Sequence, residues 1–224
     1  PGTTITGGGA VSLTGTSTVD LVSNFSNDGN ADLIFTLGTV TLQGSGLTLT
    51  NLNDAEVILD NETIATGLSL VNEGSIITEM DLTGVTFNGG FDNASTGSLV
   101  IGHGGQPIRH ATVTFANGFD NAGSIILDID HTAARSATLN ITTGSINNSG
   151  TIQSTDSNGG AGTRTVTADI VNAATGTVDV DYNLTISGDL DSSLGTIDVL
   201  TGNTLTLQNS ILSLDSGSIL AGGG

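Results

Sequence analysis

Apolar residues alternate with Thr, Asp, Asn or Ser along much of this chain. The pattern is clear in LTLTNL from Leu47, in TVDVDYNLTI from Thr177 and in TLTLQ from Thr204. A period of two residues is typical of β-strands with one buried face, and no stretch shows the three-and-four spacing of an amphipathic helix. Gly and Asn also interrupt the chain too often for long helices. The sequence therefore predicts an all-β protein.

One sequence unit occurs twice in the middle of the chain, as VTFNGGFDNASTGSLVI from Val85 and VTFANGFDNAGSIIL from Val113. The matching positions are 28 residues apart. A unit of this length, made of short strands, is typical of a solenoid whose coils bury their apolar faces by stacking. Stacked coils would form a core stack at the roughly 4.8 Å separation of adjacent strands. The predicted pairs in this stack are Phe87 with Phe115 and Phe91 with Phe119.

An Asn followed by small residues, a Gly and a Ser or Thr precedes many of the apolar runs. This word occurs at Asn72, Asn93, Asn121, Asn148 and Asn172, with its glycine at Gly74, Gly97, Gly123, Gly150 and Gly176. The glycines are 23 to 27 residues apart, and weaker versions follow at Ser193 and Asp215. Because Asn and Gly tolerate positive φ, the word predicts a structural turn between strands. Stacked Asn side chains are expected to bond from coil to coil.

The chain is expected to form one continuous elongated domain with two differing parts. Residues 68–224 carry the regular repeats, whereas residues 1–67 are less regular. We interpret the first part as early, degenerate coils, with a separate capping region as the alternative, since the terminal repeats of a solenoid are often atypical. At roughly 20 to 28 residues per coil, about nine or ten coils are predicted.

The Asn-Gly words and the Thr-rich alternating strands resemble the parallel β-helical passengers of secreted bacterial surface adhesins, of the filamentous-haemagglutinin and autotransporter type. The resemblance covers residues 68–219. It implies a right-handed parallel β-helix, a handedness that the general crossover rule also favours. It further implies an extracellular or cell-surface location in a bacterium and a structural or adhesive role, as a shaft or fibre-forming subunit. The implied partners are copies of the same chain, end to end or side by side, and a glycan or another cell surface.

The charge balance is strongly acidic, with 22 acidic residues against three basic ones and a formal net charge of −19. Such a surface repels nucleic acid and anionic membranes, so neither is expected as a partner. No apolar run is long enough to cross a bilayer, and no signal peptide precedes Pro1, which suggests a processed or excised piece. No cofactor or metal is expected. Calcium is kept as an alternative, although no calcium-binding loop word occurs.

Three long loops hold every cation and every histidine of the chain. These residues are His103, Arg109, His110, His131, Arg135 and Arg164. Counted from the repeat glycine, Arg109 and Arg135 each follow after twelve residues and Arg164 after fourteen. In stacked coils this phase predicts a basic ridge on one side of the solenoid, as a candidate ligand or assembly surface. The alternative is that the arginines pair locally with Asp128, Asp130 or Asp156.

The fold implied by the resemblance also occurs in polysaccharide lyases, hydrolases and epimerases, so a polysaccharide-active enzyme or a glycan-binding module is an alternative function. The candidate groups are Asp128, Asp130, His131, Asp156, Asp179, Asp181, Asp189, Asp191 and Asp198. The strand acids alternate with core residues as solvent-facing positions do. No nucleophile word occurs, and the histidines are not at zinc spacing. We therefore predict no enzyme and assign no catalytic residue.

Ice binding is the weakest alternative, and it comes from the similarity of Thr-x-Thr words to the Thr arrays of antifreeze solenoids. The words begin at Thr39, Thr48, Thr112, Thr165 and Thr204, with spacings of 9, 64, 53 and 39 residues. These spacings match no coil length. We therefore interpret the words as ordinary β-rich strands.

Overall fold

The computed structural model describes residues 3–5, 10–28, 32–36, 39–79, 84–103, 110–130, 132, 134–159 and 161–222. Arg109 and His131 lie outside these ranges. The described residues form 26 β-strands, and none of them belongs to a helix that could cross a membrane.

In the first half of the chain the strands are β1 (Thr3–Ile5), β2 (Ala10–Thr14), β3 (Ser17–Asp20), β4 (Phe25–Asn27), β5 (Asp32–Thr36), β6 (Val40–Gln43), β7 (Leu47–Asn51), β8 (Glu56–Leu59), β9 (Glu62–Ile64), β10 (Leu68–Asn72), β11 (Ser75–Thr78), β12 (Val85–Phe87), β13 (Gly90–Asn93) and β14 (Ser98–Ile101). In the second half they are β15 (Ala111–Asn121), β16 (Ser124–Leu127), β17 (Ser136–Asn148), β18 (Thr151–Ser154), β19 (Thr163–Asn172), β20 (Thr177–Val180), β21 (Leu184–Ile186), β22 (Leu190–Asp191), β23 (Thr196–Val199), β24 (Leu205–Leu207), β25 (Leu212–Ser213) and β26 (Ile219–Gly222).

The strands stack into two parallel sheets, each coil of the chain contributing to both. The ten-stranded sheet runs β2-β5-β8-β11-β14-β16-β18-β20-β23-β26, and the other strands form a sixteen-stranded sheet. Because all the pairs among the described strands are parallel, each coil returns to pair with the coil before it. The prediction of an all-β parallel solenoid is confirmed, and the ten stacked strands are close to the nine or ten coils predicted.

One coil consists of a short strand in the ten-stranded sheet, a loop, and one or two strands in the sixteen-stranded sheet. In the outer coils the second part is divided, as in β12 and β13, whereas β15, β17 and β19 run through it without interruption. Small register shifts after Asn117 and after Asn140 take up the bend in these long strands. The loop that leads from the ten-stranded sheet to the sixteen-stranded sheet varies most in length from coil to coil.

Phenylalanines fill the interior of two neighbouring coils. Phe87 pairs in register with Phe115, and their ring centroids are 4.5 Å apart with planes 13° from parallel. The rings of Phe91 and Phe119 are 5.0 Å apart and edge-on. Phe91 also lies 4.8 Å from Phe115, so the four rings contact one another as one cluster. Aromatic contacts of this kind add to the stabilisation that comes from the buried area.

A column of asparagines lines the corner at which each coil turns from the sixteen-stranded to the ten-stranded sheet. Each Nδ2 donates to Oδ1 of the Asn in the next coil, over 2.7 to 3.0 Å. The buried members are Asn27, Asn51, Asn72, Asn93, Asn121, Asn148 and Asn172. We call this set the Asn column. Each amide also donates to a backbone carbonyl, as Asn121 does to Thr151 over 3.2 Å, and the Nδ2 of Asn172 ends the column on the Oγ of Ser192.

The sequence pattern missed the first two members of the Asn column. Asn27 is followed by Asp-Gly-Asn, which lacks the Ser or Thr of the repeated word, and Asn51 is followed by Leu-Asn-Asp, which lacks the Gly. Their side chains nevertheless make the same hydrogen bonds as Asn72 does. The coils within residues 1–67 that contain them therefore share the corner of the later coils.

The repeat glycines are required by close contact between coils and not by positive φ. None of Gly74, Gly97, Gly123, Gly150 and Gly176 has positive φ, which corrects the conformational reason inferred from the sequence. A Cβ on Gly123 would lie 2.1 Å from the carbonyl oxygen of Gly97 and 2.3 Å from that of Ala94. Corners stacked at strand separation leave no room for a side chain at this point.

Candidate functional site

The loops that lead from the ten-stranded to the sixteen-stranded sheet in the middle coils carry the predicted basic ridge. Of its members, the structure describes His103, His110, Arg135 and Arg164. His103 and His110 are exposed and Arg135 is half-buried. Arg164, by contrast, is only 1% exposed. The structure therefore does not place the guanidinium of Arg164 on the surface with the other members.

Strand register explains why Arg164 differs from Arg135. Ser136 pairs with Thr163, so the residue opposite Arg135 is Gly162, and Arg164 pairs instead with Ala137. Arg164 thus lies two residues further into the strand, in a column that points inward and continues to Leu184. The loops before β17 and β19 are equally long, at eight residues each, so the two extra residues counted from the repeat glycine lie in β19 itself. They carry Arg164 past the surface position.

The buried guanidinium of Arg164 contacts two backbone carbonyls, a carboxylate and an aromatic ring. Its Nε donates to the carbonyl oxygen of Thr155 over 2.9 Å, and its Nη1 donates to that of Gly162 over 3.1 Å. Its Nη2 lies 3.4 Å from Oδ1 of Asp156, and its Cζ lies 3.8 Å from the ring centroid of Tyr182. Burial lowers the pKa of Arg164, and the nearby Asp156 opposes this shift. Arg164 therefore holds the loop closed rather than offering a ligand contact.

Acidic side chains tie the neighbouring loops together beside Arg164. The buried carboxylate of Asp128 accepts hydrogen bonds from the backbone N–H and the hydroxyl of Ser157, over 3.0 and 2.5 Å. Asp130 accepts one from Nδ2 of Asn158 over 3.2 Å. Nδ1 of His103 lies 3.8 Å from Asp128 and 3.7 Å from Asp130. The loops of three successive coils are thus joined by side-chain contacts.

His110 makes a similar contact one coil away. Its Nδ1 accepts a hydrogen bond from the backbone N–H of Ser136 over 3.0 Å and lies 2.7 Å from the hydroxyl of the same residue. An acceptor at Nδ1 places the proton of the neutral ring on Nε2. The exposed ring edge of His110 is therefore a hydrogen-bond donor that faces solvent.

The acids further along the chain occupy different faces. Asp179 and Asp181 both accept hydrogen bonds from Nε2 of Gln153, over 3.2 and 2.7 Å. Burial, together with the charges of Asp181 and Asp198, raises the pKa of Asp179. Asp189 instead caps the next coil, because its Oδ1 accepts the backbone N–H of Ile211 over 2.8 Å. The candidate acids are therefore spread over several surfaces.

Asp191 lies on yet another exposed surface. Hydrogen bonds from the side chain and backbone of Ser193 lower the pKa of the Asp191 carboxyl. Within the described part of the chain, no three His, Asp or Glu side chains converge in a way that could hold a metal ion.

Threonines form two adjacent columns on the outer face of the sixteen-stranded sheet. One column contains Thr112, Thr138, Thr165, Thr185 and Thr206. The other contains Thr18, Thr41, Thr63, Thr86, Thr114, Asn140 and Thr167. The hydroxyl rows are thus spaced by about 4.8 Å along the solenoid and by roughly 6.7 Å along each strand.

The two Thr columns correct the expectation that the Thr-x-Thr words follow no coil. The spacings of the words hide these columns for two reasons. The word at Thr48 belongs to β7, which lies in another part of the coil. In several other coils one of the two column positions is not Thr, as in Thr138-Leu139-Asn140, so the two positions do not form a Thr-x-Thr word. The Thr-x-Thr words therefore reveal only some of the threonines in the two columns.

Comparisons of the chain with protein-family models, with curated proteins and with solved structures found no match.

Proposed function

We propose that this chain is a stiff structural segment of an extracellular or cell-surface bacterial protein, where it acts as an adhesin shaft or a fibre subunit. The observation that carries the proposal is the Asn column, which connects coil to coil from Asn27 to Asn172 inside the protein. Buried hydrogen bonds that repeat in every coil resist bending and sliding of one coil on the next. With ten stacked strands, the solenoid is about 43 Å long at the usual strand separation.

The last coil supports end-to-end continuation of the solenoid. Leu212 is 40% exposed, whereas Leu190, its partner one coil earlier, is fully buried. Leu220 is 63% exposed, whereas its partner Ile197 is 2% exposed. Another coil of the same kind, from more chain or from a second copy, would cover both leucines and pair the open strand edges.

The adhesive part of the proposal rests on the loop cluster. His103, Arg109, His110, His131 and Arg135 are the candidate contacts for an anionic glycan or for the acidic flank of a neighbouring copy. Arg164 is left out of this set because its guanidinium is buried. The test variant therefore replaces Arg109 and Arg135 with Gln. It should weaken binding to acidic glycans on an array, and unchanged binding would contradict this role.

The assembly can be tested by negative-stain electron microscopy and sedimentation velocity, with and without millimolar calcium. We expect a rod about 43 Å long for one copy, with about 48 Å added by each further copy of ten stacked strands. The double variant Leu212→Asp and Leu220→Asp should give single short rods, whereas the matched variant Thr185→Asp on an outer face should still assemble. Short single rods from the unaltered chain would contradict the fibre-subunit role. A glycan array, with a lyase assay on acidic polysaccharides beside it, would then test the shaft and enzyme roles.

The Thr columns support ice binding as a second candidate function. The two columns lie side by side in β15, β17 and β19, where only Asn140 interrupts the array of hydroxyl and methyl groups. Such a spacing fits the regular lattice of ice better than it fits a disordered polymer. The variant Thr112→Lys with Thr165→Lys should abolish inhibition of ice recrystallisation. The matched variant Thr48→Lys with Thr50→Lys lies outside the two columns and should retain it. Absence of inhibition in the unaltered chain would remove this candidate.

A further inference from the structure

The outer face of the ten-stranded sheet carries an aliphatic column in the positions that point to solvent. Strand register places five side chains in line, namely Ile34, Ile58, Ile77, Val100 and Ile126. We call these five residues the aliphatic stripe. All are partly exposed, while the positions beside them in each strand, such as Val57 and Leu99, point inward and are buried. At the usual strand separation the stripe is about 19 Å long.

The fold does not require apolar residues on this side of the sheet. The core positions are already filled by the inward-facing column of Leu33, Val57, Ile76, Leu99 and Ile125. In the next coils the same outward position changes to Gln153, Asp179 and Asp198. In the two Thr columns of the other sheet, the outward positions are almost all threonine. A contiguous apolar surface of this kind is typical of an interaction site.

The charged residues around the stripe are acidic. Asp32 and Glu56 lie two residues before Ile34 and Ile58 in the same strands, and Glu79 lies two residues after Ile77. Burial and the charge of Asp32 raise the pKa of Glu56. Burial and the charge of Asp60 likewise raise that of Glu79, while His103 acts in the opposite direction on both. These carboxylates would be stabilised by a cation placed beside them.

The other end of the stripe is also acidic, because Asp179 and Asp198 continue the same column. A second copy of the chain would bring its own carboxylates against these, and the net charge of −19 opposes such contact. A segment with apolar side chains along one face and Lys or Arg beside them would match both features of the surface.

We propose that the aliphatic stripe is a docking surface for a cationic amphipathic polypeptide segment. The apolar side chains of the segment lie along the stripe, and its cations contact Asp32, Glu56 and Glu79. A helix of about 13 residues matches the length of the stripe. The proposal does not rest on the shaft role, because the stripe lies on a different surface from the loop cluster and from the end of the solenoid.

The probe is a fluorescent Leu/Lys peptide of about 14 residues that forms an amphipathic helix, titrated by anisotropy at physiological ionic strength. Its controls are a scrambled peptide of identical composition and a Leu/Glu version. We expect the amphipathic cationic peptide to bind about 10-fold more tightly than the scrambled one, and the Leu/Glu version not to bind. The variant Ile77→Thr with Val100→Thr and Ile126→Thr keeps β-branched side chains and should bind about 10-fold more weakly.

The matched protein control is Val71→Thr with Val171→Thr, which removes outward-facing methyl groups from the other sheet and should bind as the unaltered chain does. Equal binding of the scrambled peptide, or unchanged binding by the triple variant, would mean charge attraction alone and would overturn the proposal. The proposal would also be overturned if sedimentation showed a dimer that the triple variant abolishes, because a second copy of the chain would then occupy the stripe. If circular dichroism shows that the triple variant is unfolded, Val100→Thr alone should weaken binding about 3-fold, and no loss would overturn the proposal.

Discussion

Asn147 and Asn148 are neighbours in β17 but belong to different environments. Asn148 is fully buried, and its Nδ2 donates to Oδ1 of Asn172 over 2.7 Å inside the solenoid. Asn147 is exposed, and its Nδ2 donates to Oδ1 of Asp120 over the same distance on the outer face. One strand therefore offers two Asn residues with equal hydrogen-bond lengths and opposite burial.

We expect Asn148→Ala to lower the free energy of unfolding by about 3 kcal/mol, because one N–H of the buried Asn121 amide and the buried oxygen of Asn172 lose their partners. Asn147→Ala should cost less than about 1 kcal/mol, since water replaces its bond. Chemical denaturation of both variants measures the difference. Equal losses would show that burial does not set the strength of the Asn column.

Gly123 and Gly159 should respond differently to substitution by alanine. A Cβ at Gly123 would lie 2.1 Å from a backbone oxygen of the preceding coil, so Gly123→Ala must push two coils apart and should cost about 3 kcal/mol. Gly159 has positive φ but open space around it, and Gly159→Ala should cost about 1 kcal/mol. Thermal unfolding compares the two. A smaller loss for Gly123→Ala than for Gly159→Ala would contradict the packing argument.

Replacement of Arg164 should damage the fold, whereas replacement of Arg135 should not. Arg164→Ala removes the donor to two backbone carbonyls and leaves the carboxylate of Asp156 without its cation. We expect a loss of about 3 kcal/mol, the usual consequence of breaking a buried ion pair. Arg135→Ala should cost less than about 1 kcal/mol. Urea unfolding at neutral pH measures both, and similar losses would contradict the structural role given to Arg164.

Asp179 should make stability depend on pH. Its pKa in the folded protein is raised above the ordinary value of 3.8, so its ionised form is disfavoured in the folded state. The penalty is complete above the raised folded-state pKa and disappears as the pH falls from there to the ordinary value. Asp179→Asn should therefore stabilise the protein at pH 7, because it removes a carboxylate that burial and the charges of Asp181 and Asp198 disfavour. The gain is roughly 0.5 kcal/mol, since solvent screens this partly exposed group. The gain should vanish in acid.

Asp191→Asn should have the opposite effect on the pH dependence of stability, measured by unfolding at the same series of pH values. The pKa of Asp191 is lowered by its hydrogen bonds to Ser193, so this carboxylate contributes stability above its unfolded-state pKa. That contribution is lost as the pH falls through the folded-state value. The variant should therefore not gain stability at pH 7. A gain from Asp191→Asn, or none from Asp179→Asn, would contradict the assigned signs.

The sequence was sufficient to predict the solenoid because its signals are repeated. Alternation of apolar and polar residues and the recurring Asn-Gly word state the same geometry in several coils. The position of Asn27 in the Asn column could not be read in this way, because Asp-Gly-Asn follows it and the Ser or Thr of the repeated word is missing. In a chain rich in Asn, one Asn by itself does not indicate a position in the column. Only the strand register shows which Asn residues stack on one another.

Arg164 and the aliphatic stripe show a second limit of the sequence. A count of residues from a repeat glycine does not reveal whether a loop or a strand absorbs two additional residues, and that choice decides whether Arg164 points inward or outward. The stripe was missed because a run such as SIIL in β16 contains one buried and one exposed Ile that look alike in sequence. Both questions depend on pairing between coils, which the sequence of one coil does not contain.

The Asn column also gives the solenoid a direction. Every amide nitrogen points toward the later coil and every amide oxygen toward the earlier one, so the two ends of the molecule are chemically different. Within the described residues, the buried Oδ1 of Asn27 has no hydrogen-bond donor. Any coil added to either end has to run in the same sense to continue the parallel pairing. A filament built by such addition is therefore polar, with a growing end that differs from its starting end.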